Sequence, residues 1–563
     1  MKKFNYNLNN FYYLLPIAYK KKIFFYILIL FSLLFLNIIS FSLLVPFFSI
    51  LIDEKIIDTI SILIFLKKNE IVRFNTNKEL IFFLGFLSLI LILISNYLLY
   101  INEKIKFKLI SAIAINLTQK FISSVLNLKY SKFIQYDKNI IYSKLLIELE
   151  GVIIQIFYNS FELISRLFIV FIIFIGLLIF EPVITLSVTF AITFLSLFVY
   201  KNYKDRFKKF GKNMVINNKN RTLFINEIIS NFISIKINNL TSFFKEKFLD
   251  STSNYYNNLS GSEIAKKIPK AIIESSFFCI VILVSIFLFN SDFSNPQNLT
   301  INLSAFAIAS YKIMPSVQLI FFSLSTLRIA KPKFDSLVDE LKIIDSNKKN
   351  IIKKNYKINF KSDFVIEGKN ITIKFNNKTL IKSLNFKIKK NSITCISGIS
   401  GSGKTTLLHS IIGLIKPNSG NIKVYGIDTY LLSDFYAEQL FSFTPQISNL
   451  FFFNLKKNIY LEKKFDDHKL KRSLEFSGFN KYNLLNFNTN KRNLSGGEIK
   501  KILLSRNIYN DRQIIIFDEP TVYLDEKSIK SFISNLINLK NKTIIFTTHN
   551  PNLKKIAKHI IEL

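Results

Sequence analysis

The hydrophobic positions of this chain fall into two different patterns. Up to about residue 325, six apolar runs are each long enough, at roughly 20 residues, to cross the hydrocarbon core of a bilayer as a helix. Runs such as FIIFIGLLIF are apolar on every side, as lipid-facing or fully buried helices are. The pattern therefore predicts a six-span helical membrane domain over residues 1–325, with spans at Ile23–Leu51, Leu80–Ile101, Gln155–Phe180, Val183–Tyr200, Ala271–Asn290 and Leu299–Leu324.

The charged residues between these runs predict an orientation, because cytoplasmic loops carry an excess of Lys and Arg. Residues 102–150 hold eight Lys against four acids, and residues 201–270 hold 14 Lys and Arg against five acids, whereas 181–182 and 291–300 contain no basic residue. The first run is also too long for the apolar core of a cleavable signal sequence. We expect an integral protein of a bacterial-type inner membrane, with both termini and the C-terminal domain in the cytoplasm.

The two long basic connections mix apolar and polar residues at helical spacing and contain few Gly or Pro. They predict helices that continue from the membrane into the cytoplasm and are joined by short turns near Tyr130–Asp137 and Glu227–Asn239. Irregular basic loops are the alternative. Residues 326–361, which include DSNKKNIIKKN, break the apolar pattern and are predicted to be a linker.

Charged residues inside apolar runs are costly and are candidates for function. Glu162 and Arg166 are four residues apart on one predicted helix and are expected to pair with each other. Lys312 lies just before Pro315, a residue expected to kink its helix. Lys312 either meets an anionic group in a central cavity or forms an ion pair with Glu274, and both interpretations stay open.

From residue 362 to 563 the pattern changes to short β-branched strands between helices, which predicts an α/β domain. The strand ITCIS is followed directly by GISGSGKT and then by an amphipathic helix, the context that a phosphate-binding loop requires. Its glycines let backbone N–H groups face phosphates at a helix N-terminus. The predicted nucleotide-binding residues of this loop are Gly398, Ile399, Ser400, Gly401, Ser402, Gly403, Lys404, Thr405 and Thr406. Lys404 is expected to reach the terminal phosphates, and the Thr405 hydroxyl to ligate Mg²⁺.

Two later apolar strands end in polar side chains. The strand IIIF is followed by Asp518, which can hold Mg²⁺, and by Glu519, which can act as general base on an attacking water. The strand TIIFTT is followed by His549, a candidate sensor of the terminal phosphate. Between the loop and these strands, a second anion-binding turn opens a helix at Ser495, Gly496, Gly497 and Glu498. Because the chain already has one phosphate loop, this turn is predicted to complete nucleotide binding on another copy.

Composition adds little to this prediction. The 563 residues are 50% hydrophobic, and 75 Lys and Arg against 38 acids give a net charge of +37. In a soluble protein that charge would suggest nucleic acid, but a lipid bilayer is the simpler partner here, and no nucleic acid is expected. Two cysteines without a partner motif exclude a disulfide framework or a zinc site as the organising feature.

In the order and approximate spacing of these motifs, the chain resembles an ATP-binding cassette exporter, a half-transporter with the membrane domain first and the ATPase second. The resemblance implies ATP hydrolysis coupled to transport, ATP and Mg²⁺ at the site, and a dimer, with a homodimer expected and a heterodimer possible. It implies that Phe375 stacks on adenine and that Gln446 links Mg²⁺ to the membrane-domain contact. Asp525 would then lie in the loop that faces the partner ATPase, and the two predicted turns would be coupling helices.

The chain departs from the family pattern in two loops. Residues 487–493, FNTNKRN, lack the usual Glu and Gly before the signature turn, and the loop at Asp525 reads VYLD in place of the usual small residues. The predicted catalytic residues are Lys404, Gln446, Glu519 and His549. Neither change removes any of them.

The cargo is predicted only by short stretches. Spans five and six are similar to those of bacterial flippases of lipid-linked oligosaccharides, and Lys312 would suit a pyrophosphate group. A lipid-linked oligosaccharide or another amphipathic lipid is therefore the expected cargo, with a peptide or drug as the alternative. An ATP-gated channel or a membrane ATPase without transport is the alternative of a different class.

Overall fold

The computed structural model describes residues 14, 17–52, 77–136, 138–180, 182–290, 296–347, 362–375, 378–432, 434–447, 449–461, 464–480 and 494–563. Contacts between Cα atoms divide the chain into two units. The helical unit comprises Met1–Asn127 and Tyr136–Ser346, and the α/β unit comprises Leu128–Gln135 and Asn347–Leu563. A short stretch of the N-terminal half thus belongs to the α/β unit.

All six predicted spans lie within helices. The helices before the α/β fold are α1 (Ile17–Ser42), α2 (Leu44–Ile52), α3 (Asn77–Leu126), α4 (Tyr130–Gln135), α5 (Lys138–Tyr142), α6 (Leu149–Val152), α7 (Asn159–Phe180), α8 (Pro182–Ser230), α9 (Phe232–Ile237), α10 (Thr241–Asn290) and α11 (Pro296–Ser346). Two π-helical turns, Ser143–Glu148 and Ile153–Tyr158, flank α6.

Among the described residues, four helical segments are long and apolar enough to cross a membrane: Tyr19–Ser40, Lys78–Leu126, Ile140–Leu178 and Ile313–Ser346. The two remaining apolar runs lie in α8 and α10, where many side chains of the run lie outside the described residues.

Several helices extend well beyond the predicted spans. Helix α3 has 50 residues, a length of roughly 75 Å at 1.5 Å per residue, against roughly 30 Å for the hydrocarbon core. Irregular basic loops are therefore the wrong interpretation of these segments. The two predicted turns are the short helices α4 and α9, although Asp137 lies outside the described residues.

Helix α11 continues through the first part of the predicted linker 326–361 and ends at Ser346. The reason is that apolar residues keep a helical spacing there, since Phe334, Leu337, Val338 and Leu341 are all buried. Residues 348–361 lie outside the described part of the chain.

Helices α8, α10 and α11 share a core that includes Phe207, Met214 and Phe321. Helices α8 and α11 approach most closely at Gly211, where an added Cβ would lie 2.1 Å from the backbone oxygen of Ile329. A residue without a Cβ is required at this crossing.

Two sheets form the frame of the α/β unit. Strands β1 (Phe364–Phe375), β2 (Lys378–Lys389), β4 (Ser419–Val424) and β5 (Ile427–Asp428) form an antiparallel sheet in the order β2-β1-β4-β5. Strands β3 (Ile393–Ser397), β6 (Phe441–Thr444), β7 (Ile514–Asp518), β8 (Thr543–Thr547) and β9 (His559–Glu562) form a parallel sheet in the order β6-β7-β8-β3-β9.

The parallel sheet is buried, because every residue of β7 and β8 lies in the interior. Helices follow its strands: α12 (Lys404–Ile411), α13 (Asp434–Leu440), α14 (Leu455–Tyr460), α15 (Asp467–Ser477), α16 (Gly496–Tyr509), α17 (Glu526–Ile537) and α18 (Pro551–Lys554). Since β7 lies beside β8 and β8 beside β3, the residues after these three strands meet at one edge of the sheet.

Candidate functional site

The loop between β3 and α12 has the backbone conformation that the sequence predicts. Gly401 and Gly403 have φ values of +82° and +98°, in the left-handed region that favours glycine. Gly403 is the N-cap of α12, and nothing lies within 4 Å of a Cβ placed on Gly401. The loop therefore presents open space in front of a helix N-terminus, an arrangement suited to an anion.

The side chain of Lys404 is held inside this loop. Its Nζ donates to the backbone oxygens of Gly398, at 2.8 Å, and Ile399, at 3.3 Å. It also lies 3.0 Å from Nε2 of His549. An ammonium group enclosed by the loop can replace these contacts with hydrogen bonds to phosphate oxygens.

The carboxylate of Asp518, at the end of β7, is fixed by two hydroxyls. Thr405 Oγ1 donates to its Oδ2 at 2.8 Å, and Thr547 Oγ1 donates to its Oδ1 at 2.6 Å. The sequence predicts Thr405 and Asp518 at one Mg²⁺ site, but neither their direct hydrogen bond nor the contact with Thr547. The only sequence signal for Thr547 is its place at the end of an apolar strand, two residues before His549.

Glu519 has a backbone φ of +46°, which a non-glycine residue adopts only when its surroundings hold it there. Its N–H donates to Thr547 Oγ1 at 3.0 Å, and its Oε2 accepts from the backbone N–H of His549 at 3.3 Å. The other oxygen, Oε1, lies 3.5 Å from His549 Nε2 and accepts no hydrogen bond from the described residues. The buried carboxylate therefore keeps one oxygen for another partner.

These residues fit a magnesium nucleotide. Thr405 and Asp518 bring together a hydroxyl and a carboxylate, and oxygen ligands are the ones that Mg²⁺ prefers. Within the described residues, the buried polar atoms Ser402 Oγ and Glu519 Oε1 have no hydrogen-bond partner. Buried polar groups are normally satisfied, so their state here indicates a ligand.

The predicted second anion-binding turn is the start of α16. Ser495 is its N-cap and forms a reciprocal capping box with Glu498: Glu498 N–H donates to Ser495 Oγ at 3.2 Å, and Ser495 N–H donates to Glu498 Oε2 at 2.9 Å. Ser495 and Gly496 are exposed. The unusual Tyr523 packs against this turn, because a Cβ on Gly496 would lie 3.3 Å from its ring.

The remaining predicted site residues lie on several elements of the α/β unit. Gln446 follows β6 and is exposed, and Asp525 is the exposed N-cap of α17. Thr406 lies in the first turn of α12. The backbone of Phe375 ends β1, but its side chain lies outside the described residues, as do residues 487–493 before the signature turn.

Lys500 is a buried residue of α16 that the sequence did not single out, and it contacts the loop of Gln446. Its Nζ donates to the backbone oxygens of Pro445 and Gln446 at 3.3 and 3.4 Å. Burial lowers the pKa of Lys500 to about 8, and the negative charges of Asp518 and Glu519 act in the opposite direction. Among the 75 basic residues of the chain, nothing in the local sequence singled it out.

The short helix α4 contacts the helix that follows the phosphate loop. The ring of Tyr130 lies edge-on to the ring of His409, with centroids 5.0 Å apart, and His409 lies 5.7 Å from Phe443 in the same manner. Burial lowers the pKa of His409 below its usual value, against a smaller effect of Asp518. The sequence predicted a turn at this position but not its aromatic partners.

In the helical unit, the predicted pair of Glu162 and Arg166 is present, with Arg166 Nη2 at 2.7 Å from Glu162 Oε1. Lys106, which the sequence did not single out, lies 3.3 Å from the other Glu162 oxygen. Glu274 is half-buried in α10, but the side chain of Lys312 lies outside the described residues, so their proposed pairing stays a prediction.

A profile of the ABC transporter family matches residues 381–522. The chain is 33% identical over 180 residues to the lactococcin-G-processing and transport ATP-binding protein of Lactococcus lactis subsp. lactis, covering 30% of this chain and 25% of that protein. It is 35% identical over 162 residues to the glutathione/L-cysteine transport system ATP-binding/permease protein of Bacillus subtilis, covering 27% and 28%. The chain thus matches about a quarter of the length of the lactococcin transport proteins.

The lipoprotein-releasing system ATP-binding protein of Buchnera aphidicola subsp. Acyrthosiphon pisum is 34% identical over 174 residues, which are 28% of this chain and 74% of that protein. A solved structure of a bacterial Atm1-family ABC exporter with ATP bound superposes with a TM-score of 0.76, at 13% identity, over 95% of this chain and 93% of the other. At that identity the likeness shows the fold, an N-terminal helical transmembrane domain and a C-terminal ABC ATPase domain. The chain belongs to the ABC transporter family.

Proposed function

We propose that the protein is an ATP-driven exporter or flippase that works as a dimer by alternating access. The observation that carries the proposal is the convergence of Lys404, Asp518, Glu519 and His549 at one edge of a parallel sheet, in a chain whose other unit has membrane-crossing helices. The protein would hydrolyse ATP and couple that reaction to the movement of an amphipathic cargo.

Each side chain has a separate task in this proposal. Lys404 binds the β- and γ-phosphates, and the side-chain oxygens of Thr405, Asp518 and Gln446 would hold Mg²⁺, which would neutralise charge on the phosphates. Glu519 Oε1 accepts a hydrogen bond from the attacking water and takes up its proton. His549 lies between Lys404 and Glu519 and keeps both side chains oriented toward the terminal phosphate.

A second copy completes the nucleotide site. The start of α16 is exposed, so Ser495 and Gly496 of one copy can cover the phosphate loop of the other. Both halves of such a shared site are present in one chain, which favours a homodimer, with a heterodimer as the alternative. Closure of two ATPase domains on two nucleotides would bias the membrane helices between two arrangements.

The short helix α4 would carry this movement. Tyr130 of α4 lies on His409 of the helix that begins at Lys404, and His409 in turn lies against Phe443 of β6, the strand before Gln446. A shift of either element when nucleotide binds would displace α4. The protein is proposed to lie in the cell membrane with its ATPase domain in the cytoplasm.

The names of the relatives describe lactococcin transport and glutathione or cysteine transport, and they do not favour an amphipathic lipid over a peptide or a small polar cargo. A lipid-linked oligosaccharide remains a proposal from the sequence, because it depends on Lys312. A peptide or drug is the alternative cargo.

The catalytic assignment is tested with Glu519→Gln. The amide cannot accept the water's proton, so we expect ATP turnover to fall by at least about 100-fold while ATP binding persists and the closed dimer accumulates. Turnover is measured with purified protein in lipid, and dimer closure by cross-linking of cysteines introduced near Ser495. Wild-type turnover in this variant would contradict the assignment.

The transport assignment needs a flux measurement. In proteoliposomes, ATP-dependent movement of a labelled amphiphile that stops in Glu519→Gln supports a pump. Passive ion current gated by ATP would support a channel instead.

A further inference from the structure

A cavity of about 530 Å³ lies inside the helical unit, between α1, α3, α7 and α11. This volume is in the range of small-molecule sites, roughly 300–1,000 Å³. Polar and charged side chains line one part of it, and aliphatic side chains line the rest. The cavity lies in the helical unit, whereas the proposed nucleotide site lies in the α/β unit.

Four charged side chains of alternating sign form a row of ion pairs beside the cavity. Lys106 Nζ lies 2.6 Å from Glu103 and 3.3 Å from Glu162, and Glu162 also binds Arg166 at 2.7 Å. The two middle members are enclosed, with side-chain exposures of 3% for Lys106 and 10% for Glu162. The two end members, Glu103 at 49% and Arg166 at 30%, line the cavity and stay accessible.

The two ends of this row of ion pairs, Glu103 and Arg166, offer opposite charges to a ligand. Arg166 uses Nε and Nη2 on one oxygen of Glu162, and a guanidinium has five N–H donors in all. Glu103 is bound by Lys106 on one side and is half exposed on the other. The four charges sum to zero, so an ammonium group can lie on Glu103 and an anionic group on Arg166 of the same site.

Aliphatic side chains line much of the remainder, together with polar ones such as Ser165 and Ser316, and this part extends into the predicted membrane depth. Leu30, Leu34 and Ile38 follow one another on successive turns of α1, over roughly 12 Å at 1.5 Å per residue. Ile169 lies one turn beyond Arg166 on α7. Glu103 lies just past the predicted cytoplasmic end of its span, so the polar end faces the cytoplasmic side. Asn37, at the far end, is engaged with Ser95 and Asn96 of α3.

We infer that this cavity binds a zwitterionic amphiphile, a molecule with an ammonium group and a phosphate or carboxylate at one end and an apolar segment at the other. The head group contacts Glu103 and Arg166, and the apolar segment lies along the aliphatic residues of α1. A polyanionic head group is disfavoured because Arg166 is already bound to Glu162, and the carboxylate of Glu103 lines the same cavity. The inference rests on the proposed function, since such a molecule is the cargo or its mimic.

The test measures binding without nucleotide, using the purified full chain in a neutral detergent. The probe is a radiolabelled lysophospholipid with a phosphoethanolamine head group. Two lipid competitors have the same acyl chain: lysophosphatidic acid carries the anion alone, and monoacylglycerol carries no charge. A third competitor, a short apolar peptide with free termini, supplies an ammonium and a carboxylate group from another source. The variants are Glu103→Gln, Arg166→Gln and Arg166→Lys, with Lys104→Gln, exposed on the same helix, as matched control.

We expect the zwitterion to bind about tenfold more tightly than lysophosphatidic acid or monoacylglycerol, the effect of one charge-assisted hydrogen bond. Glu103→Gln should weaken the zwitterion about tenfold without weakening lysophosphatidic acid, and Arg166→Gln should weaken both. Arg166→Lys should restore most of the binding, which separates a charge effect from misfolding, and Lys104→Gln should change nothing. If the peptide displaces the labelled lysophospholipid more strongly than the unlabelled lipid does, with the same dependence on Glu103 and Arg166, that result supports the zwitterion site and assigns it to peptides.

Equal binding of all head groups, or unchanged binding in both charge variants, would overturn the inference. The proposed function is judged separately. A protein that moves amphiphiles with ATP but shows none of these differences loses only the cavity assignment. A protein that binds the zwitterion as expected but transports nothing loses only the exporter assignment.

Discussion

Glu519 illustrates how single residues at the nucleotide site depend on distant partners. A left-handed backbone costs a non-glycine residue roughly 1–2 kcal/mol, and the hydrogen bonds with Thr547 and His549 offset that strain. The sequence identified Glu519 from an apolar strand followed by two acids. It did not identify Thr547, because a threonine at the end of a strand is ordinary unless the neighbouring strand is known.

Lys500 allows a prediction at the scale of one residue. Lys500→Met keeps the length of the side chain but removes the ammonium that binds the oxygens of Pro445 and Gln446. Hydrogen bonds to a charged group contribute about 1.5–3 kcal/mol, so without them the loop of Gln446 should loosen and kcat for ATP should fall about tenfold, with KM changing less. ATPase assays over a range of Mg²⁺ concentrations measure both.

The conservative variant Lys500→Arg keeps the cation and should retain most of the activity, and the exposed Lys530→Met serves as control. Wild-type kcat in Lys500→Met would mean that the buried amine does not position the loop.

At the scale of one helix, the start of α16 combines a cap with a proposed nucleotide contact. Ser495→Ala removes the acceptor for the N–H of Glu498 and should destabilise the helix by about 1 kcal/mol. Ser495→Asp keeps a good cap but places a negative charge where the partner's phosphate is proposed to lie. We therefore expect Ser495→Ala to lower the unfolding temperature and Ser495→Asp to spare it while abolishing ATP hydrolysis.

Thermal unfolding and ATPase assays on the same preparations separate the two roles. Full hydrolysis by Ser495→Asp would remove the proposed contact and leave only the cap.

The crossing of α8 and α11 gives a second prediction at this scale. In Gly211→Ala the new Cβ would lie 2.1 Å from the backbone oxygen of Ile329, so the helices must move apart. Overpacking of this kind costs about 1–3 kcal/mol, and the unfolding temperature should fall. Gly176 is the matched control, because nothing lies within 4 Å of its added Cβ and Gly176→Ala should not destabilise. Equal behaviour of the two variants would contradict the close approach.

The whole molecule is proposed to hydrolyse ATP only as a pair of chains, which mixed dimers can test. Lys404→Ala and Ser495→Arg should each inactivate a homodimer, since each removes one half of both shared sites. In a dimer with one chain of each kind, one site carries both changes and the other is intact. Random pairing makes half of the dimers mixed, so co-expression should recover about a quarter of wild-type turnover.

No recovery in purified mixed dimers would contradict a site shared between chains. High turnover by either variant alone would contradict it more directly, because neither half would then be needed.

The sequence alone determined the features that depend on neighbours along the chain. The phosphate loop Gly398–Thr405 is specified by local glycines between a strand and a helix, and the six apolar runs by a solvent preference that each run carries by itself. The helical extensions followed from apolar spacing, although the same spacing in residues 326–346 was missed and hid the end of α11.

Only the tertiary structure decided which distant side chains meet. Thr405 and Asp518 are 113 residues apart, and the motifs assigned both to Mg²⁺ without predicting their direct hydrogen bond. No motif suggested Lys500 under the loop of Gln446, Tyr130 on His409, or the row of ion pairs from Glu103 to Arg166. A local pattern encodes secondary structure and patterned motifs, whereas these contacts depend on how strands order in a sheet and how helices cross, which packing of the whole chain determines.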